Sequence, residues 1–139
     1  MGKVVYNAEV MKVMSLFEQV TAAVLKDCIL LPNQVIFVVK EGMMSKAIGK
    51  KGQNVKTLQE KLNRKIKIVE FNSKVDKFVK SFLLPVKVDE VEVEDGVVKI
   101  KTADVATKSM LIGRNGQKLR ETESYIQRLF PNLKEIKVI

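Results

Sequence analysis

Two stretches of the chain place glycine, positive charge and the start of a helix in one order. Ile48-Gly49-Lys50-Lys51-Gly52-Gln53 is matched further on by Ile112-Gly113-Arg114-Asn115-Gly116-Gln117. Each reads Ile-Gly-x-x-Gly-Gln, follows an apolar residue (Ala47, Leu111) and precedes an amphipathic helical pattern. Glycine lets another backbone approach closely, and the free N–H groups of a helix start favour an anion. With Lys50, Lys51 and Arg114 between the glycines, the chemistry on offer is the holding of a phosphate. A plainer alternative is a helix–turn–helix connection whose glycines only cap helices. The duplication and the intervening cations favour the phosphate.

The surroundings share that charge. Lys40, Lys46, Lys50, Lys51, Lys56, Lys61, Arg64, Lys65 and Lys67 surround the first loop, opposed by Glu41 and Glu60. Lys108, Arg114, Lys118, Arg120 and Arg128 surround the second, partly offset by Glu121 and Glu123. Overall, 25 Lys and Arg stand against 16 Asp and Glu in 139 residues, a formal charge of +9. That balance points to a polyanion, nucleic acid before an anionic membrane surface. Ile48 and Ile112 would floor a groove beside each loop, where bases rather than phosphates are met. An acidic run, Asp89-Glu90-Val91-Glu92-Val93-Glu94-Asp95, stands apart: either it binds a basic protein, or it charges an edge strand against aggregation.

The elements that position these loops can be read from periodicity. Val10, Met14, Phe17, Thr21 and Val24 predict an amphipathic helix over 8–26. Residues 29–32 and 35–39 read as strands, 43–48 as a short helix, 53–62 as a helix and 66–69 as a strand. After Asn72-Ser73, a helix cap, the order repeats. A helix over 75–82 closes at Pro85. A strand over 86–94 has a slip at Asp89-Glu90 that suggests a bulge. Asp95-Gly96 turns into a strand over 97–101. A helix over 104–111, the second loop, a helix over 117–129 with Leu119, Ile126 and Leu129 inward, and a strand over 135–139 complete it. Two copies of helix, strand, strand, short helix, loop, helix, strand predict two α+β units, 1–71 and 72–139, closely joined.

Composition closes off other functions. Histidine is absent and Cys28 is the single cysteine, so an intrachain disulfide, common Cys/His zinc sites and His-based triads are excluded. Cys28 lies in an apolar run and reads as a small buried hydrophobe. No apolar run is long enough to span a bilayer, and Met1-Gly2-Lys3-Val4-Val5 lacks a secretory pattern; a reducing, cytoplasmic compartment is expected. Aromatics make up 6%. Phe37, Phe71, Phe78 and Phe82 sit in apolar settings and read as core, which disfavours a surface that stacks bases on exposed rings. No cofactor, metal, catalytic residue or small-molecule substrate is indicated.

These motifs resemble the KH domain, whose hallmark is Ile-Gly-x-x-Gly between two helices, a loop that clamps four backbone nucleotides. The additional leading helix and strand resemble the type II form, in which three strands pack against three helices (an α/β sandwich). Two such units without a linker, with Ala47-Ile48-Gly49-Lys50-Lys51-Gly52-Gln53-Asn54-Val55 in the first, resemble the KH pair of the NusA transcription factors and the short archaeal NusA-like proteins. The resemblance covers nearly the whole chain. It implies binding of single-stranded RNA along a surface continuous across both domains, and a role in transcription elongation or termination. RNA polymerase or other transcription factors are the protein partners it implies. From the length of the chain, neither the N-terminal polymerase-binding domain nor the S1 domain of bacterial NusA is expected, so action on RNA polymerase stays an expectation that the two loops do not carry.

The residues expected to meet RNA are Lys46, Ile48, Gly49, Lys50, Lys51, Gly52, Gln53, Lys56, Arg64 and Lys65 at the first loop. Those at the second are Ile112, Gly113, Arg114, Asn115, Gly116, Gln117, Lys118 and Arg120. Asn115 in place of Lys51 predicts weaker phosphate attraction at the second. The competing readings are a protein–protein adaptor using the acidic hairpin or first helix, and a ribosome-associated or RNA-processing KH protein.

Overall fold

The computed structural model describes residues 7–139, so the opening stretch considered above for a secretory pattern lies outside it. The described chain divides at Asn72/Ser73 into two compact units.

In the first unit α1 (Ala8–Thr21) leads to β1 (Leu25–Leu30), β2 (Gln34–Val39), α2 (Met44–Ile48), a single 3-10 turn, α3 (Gln53–Leu62) and β3 (Lys65–Glu70). The sheet order is β1-β2-β3, antiparallel between β1 and β2 and parallel between β2 and β3. The parallel pairing requires a crossover, and α2 and α3 provide it. Val13 and Phe17 from α1, Ala47 from α2 and Leu58 from α3 meet Cys28, Val35, Phe37 and Val39 of the sheet in one core. Phe17 stacks on Phe37 with ring centroids 4.3 Å apart. The strand β2 is buried along 35–39, which its unbroken Val-Ile-Phe-Val-Val run requires.

The second unit repeats the order with α4 (Val75–Leu83), β4 (Glu90–Glu94), β5 (Val97–Lys101), α5 (Val105–Ile112), a 3-10 turn, α6 (Gln117–Gln127) and β6 (Glu135–Val138). Its sheet order, β4-β5-β6, again runs antiparallel then parallel. Phe78, Val79 and Phe82 of α4 are buried, as are Val98 and Ile100 of β5, Leu111 of α5, Leu119 and Ile126 of α6, and Ile136 of β6. The turn into β5 uses positive φ at both Asp95 (51°) and Gly96 (80°), the pattern whose twist suits a two-residue hairpin. Mixed α and β elements with two three-stranded sheets fit a KH-type fold.

Several ends differ from those the sequence predicts. The first helix stops at Thr21 rather than residue 26. Ala22 adopts a left-handed conformation (φ 59°), and the Thr21 hydroxyl, which donates to the Phe17 carbonyl, accepts the Ala23 N–H at 3.0 Å. Val24 is therefore exposed, and β1 begins four residues before the predicted 29. The N-cap of α4 is Lys74 rather than Asn72-Ser73, and its side chain makes no capping hydrogen bond to the helix start. The strand β4 begins at Glu90 rather than 86, and its pairing with β5 is regular; the slip at Asp89 marks the strand's start, where Asp89 Oδ2 accepts the Ala103 N–H at 2.8 Å. The bulge lies instead in β1, between Leu25 and the buried Asp27. In α6, Thr122 joins Leu119 and Ile126 in the interior, while Leu129 falls beyond the helix end and is half-buried. Phe71 is half-buried with the Lys26 ammonium 4.8 Å from its ring centre, not a core residue.

Candidate nucleic-acid interface

Each loop joins a short helix to a longer one through a conformation that side chains resist. Gly49 (φ 77°, ψ 172°), Lys51 (φ 57°, ψ 27°) and Gly52 (φ 73°, ψ 19°) carry positive φ in the first. Gly113 (φ 73°, ψ −176°), Asn115 (φ 56°, ψ 26°) and Gly116 (φ 74°, ψ 7°) carry it in the second. Corresponding angles agree within 4° in φ and 12° in ψ, so the two loops follow one backbone path. Both close in the same way: Gly52 N–H donates to the Gly49 carbonyl at 3.1 Å, and Gly116 N–H to that of Gly113 at 3.3 Å.

The two glycines of a loop serve different ends. A Cβ on Gly49 would stand 2.7 Å from Asn54 Nδ2, and one on Gly113 only 2.5 Å from the Lys118 Cβ. The first glycine thus lets the following helix sit hard against the turn. Around Gly52 and Gly116 there is nothing within 4 Å of such a Cβ. Their demand is the left-handed φ alone, and the space before them is open to an approaching strand. No side chain caps either α3 or α6, which leaves the positive ends of those helices uncovered by their own chain.

The side chains around the loops sort into three groups. Lys50, Lys51, Arg114 and Asn115 at the tips are exposed, as are Lys46, Gln53, Lys56, Gln117 and Lys118 beside them. Among the described residues none of these cations is in an ion pair. Ala47 and Leu111 are buried and anchor the loops, while Ile48 (37% exposed) presents apolar surface at the first and Ile112 is half-buried at the second.

Arg120 is committed within the fold. It pairs with Glu123 at 2.9 Å and donates to the Ile136 carbonyl at 3.3 Å, while Glu123 accepts the Ile136 N–H at 2.7 Å. It ties α6 to β6. Arg64 and Lys65 are not at the first loop either. They line a polar hollow of about 410 Å³ with Asn33, Gln59 and Asn63, past the far end of α3. Ten helical residues at 1.5 Å each put that hollow roughly 15 Å from the loop. One residue missed in the sequence is Asn54, whose Nδ2 donates to the Lys46 carbonyl at 3.1 Å and ties the end of α2 to the start of α3. An Asn directly after the Gly-Gln of a helix start was the available signal; its partner was not.

A family model described as the KH domain matches residues 13–96. The chain belongs to the KH-domain family, among the NusA-like proteins of archaea. A relative in Methanocaldococcus jannaschii, named probable transcription termination protein NusA, is 32% identical over 142 residues, covering 100% of this chain and 77% of its own. One of the same name in Halococcus morrhuae is 32% identical, covering 84% of this chain and 85% of its own. The crystal structure of APE1850 superposes with a TM-score of 0.72 at 28% identity, over 96% of this KH protein and 100% of that chain. The family match includes the first loop and stops short of the second, whose likeness to the first rests on the shared Ile-Gly-x-x-Gly-Gln and on backbone geometry. Among the described residues no cluster suited to a metal ion is present, and no helix is long and apolar enough to cross a membrane.

Proposed function

We propose that this chain binds single-stranded RNA, holding the RNA backbone at both Gly-x-x-Gly loops, and that it acts in transcription termination. The observation that carries this reading is the shared backbone path of two loops whose tips bear unpaired, exposed cations. A phosphodiester passing such a tip meets open space at the second glycine, an uncovered helix start and mobile charge, which position a strand without reading its sequence. Ile48 and Ile112 lie beside that track, where unstacked bases would lie. On this reading each unit is a type II KH domain, 1–71 and 72–139, supported by the repeated element order. The contacts are Lys46, Ile48 to Gln53 and Lys56 at the first loop, and Ile112 to Lys118 at the second. Arg64 and Lys65 form an outlying contact, and Arg120 has a structural role. The names of the archaeal relatives support the assignment to termination. On this reading RNA polymerase or another transcription factor is the proposed protein partner, and the cytoplasm the proposed location.

The test is a titration of a short single-stranded RNA at several salt concentrations, with double-stranded RNA and single-stranded DNA as controls. A folded variant with Lys50, Lys51, Arg114 and Asn115 all changed to Asp is run beside the parent. Single-stranded RNA is expected to bind best, with affinity falling roughly 0.7 log units per log unit of salt for each phosphate contact, and the variant to lose most of it. Equal binding by the folded variant would reduce both loops to simple turns.

A further inference from the structure

The acidic hairpin is left without a role by RNA binding, and its surroundings give it one. The strand β4 is the edge of its sheet, and its outer main-chain groups have no strand partner among the described residues. Its residues alternate: Val91 is buried, Val93 is 43% exposed, and Glu90, Glu92 and Glu94 are exposed. Two hollows meet at Val93. One, of about 370 Å³, is apolar and lined by Val75, Leu129, Phe130, Pro131 and Leu133. The other, of about 530 Å³, is bordered by Asp76, Glu92, Glu94 and Lys99.

We infer that the edge of β4 docks an extended segment of a protein partner in which basic and apolar side chains alternate. The segment adds as a fourth strand, its main chain pairing with β4. Because successive side chains of a strand point to opposite faces, its apolar residues enter the hollow at Phe130 and Leu133 while its Lys or Arg residues meet Glu92, Glu94 and Asp76. Charge selects this occupant. In a chain of net charge +9, this edge is locally negative. Lys101 is taken by Glu90 (3.8 Å) and Glu92 (3.1 Å), and Asp76, Glu94 and Asp95 make no ion pair among the described residues. A nucleic-acid backbone is repelled here; a basic peptide is drawn in. The first unit has no counterpart, since Asp27, Cys28 and Ile29 of β1 are buried.

The experiment titrates the full ¹⁵N-labelled chain with a blocked Lys-Val-Arg-Val-Lys-Val peptide. Its block isomer Lys-Lys-Arg-Val-Val-Val and an alternating Glu-Val peptide are controls. Saturable amide shifts are expected at residues 90–96 and 129–133 with the alternating basic peptide alone. Val93→Gln and the pair Glu92→Gln with Glu94→Gln should each weaken it, the pair by roughly fivefold, with RNA affinity unchanged. Equal binding by the block isomer, shifts elsewhere, shifts of the same amides by RNA, or unaltered affinity in the folded variants would each overturn the inference. The readout does not involve either glycine loop, so failure of the RNA-binding proposal would be visible separately.

Discussion

The two units share an element order and a loop, yet they differ in what surrounds it. At the first tip two lysines stand free and Asn54 ties α2 to α3 through the Lys46 carbonyl. At the second, arginine and asparagine replace the lysines, the position of Asn54 holds Lys118, and the position of Lys56 holds Arg120, drawn away by Glu123. The sheets diverge further: β2 is buried from Val35 to Val39, while β4 and β5 alternate apolar with charged residues and carry a ladder of Glu and Lys. The two loops thus share a backbone path and differ in electrostatics. Loop path and loop charge are separable properties, and each can be broken alone.

The largest effect is expected from the backbone. Gly49→Ala and Gly113→Ala both place a Cβ at φ above 70° with ψ near 180°, a region essentially reserved for glycine, at a cost of order 1–3 kcal/mol. The second should be the worse. At Gly49 the nearest atoms belong to the Asn54 side chain, which can turn aside by giving up one hydrogen bond; at Gly113 they are the Cβ, N and Cα of Lys118, which cannot. Urea denaturation of the two variants measures this, and equal or reversed losses would show that φ alone sets the cost. Charge comes next. Lys50→Gln with Lys51→Asn should lower the salt slope of RNA binding by about 1.4, and Arg114→Gln by about 0.7, if each cation meets one phosphate. Equal slopes would mean that the two tips are used alike.

How far such differences could be foreseen depends on their range along the chain. Both loops, their glycines and the order of elements were legible, because turn chemistry and apolar period are local. The ends were less so: Val24 fits the helical spacing of α1, and only the Thr21 hydroxyl and the left-handed Ala22 show why the chain leaves the helix. Charges were the least legible. Arg64, Lys65 and Arg120 counted as loop cations by nearness in sequence, yet a helix of ten residues carries the first two away, and an i,i+3 carboxylate with a strand carbonyl captures the third. Asp27, buried at a bulge with Oδ1 accepting the Cys28 N–H, was hidden by its apolar neighbours.

A smaller effect lies in the central residue of each loop. Lys51 and Asn115 both sit in the left-handed region, which costs an ordinary side chain roughly 1–2 kcal/mol and asparagine less. Lys51→Asn should therefore stabilise the first unit by a few tenths to 1 kcal/mol and weaken RNA binding, whereas Asn115→Lys should do the reverse in the second. The second tip gains conformational ease where the first retains charge. If both exchanges left stability unchanged, the shared φ would carry no penalty to relieve.

The smallest effect separates the units by pH. Before α5, Asp104 accepts the Thr107 hydroxyl at 2.6 Å, and that bond holds its carboxyl below the usual carboxylate range. The N-cap of α2 is Met43, which has no carboxyl, and the residue that matches Asp104 in the aligned loops is Lys40. A carboxyl whose folded pKa is depressed contributes stability above its unfolded value of about 3.9 and loses it as pH falls through the folded pKa. Acidification from pH 5 to pH 3 should thus loosen the start of α5, just before the second loop, through a group that α2 lacks. Asp104 is fully exposed, so the effect is small and best read locally, from amide shifts of Thr107 and Lys108 along a pH titration. Asp104→Asn should abolish that inflection and leave the amides of Ser45 and Lys46 as they were; an inflection that survives the substitution would assign the titration to another carboxylate.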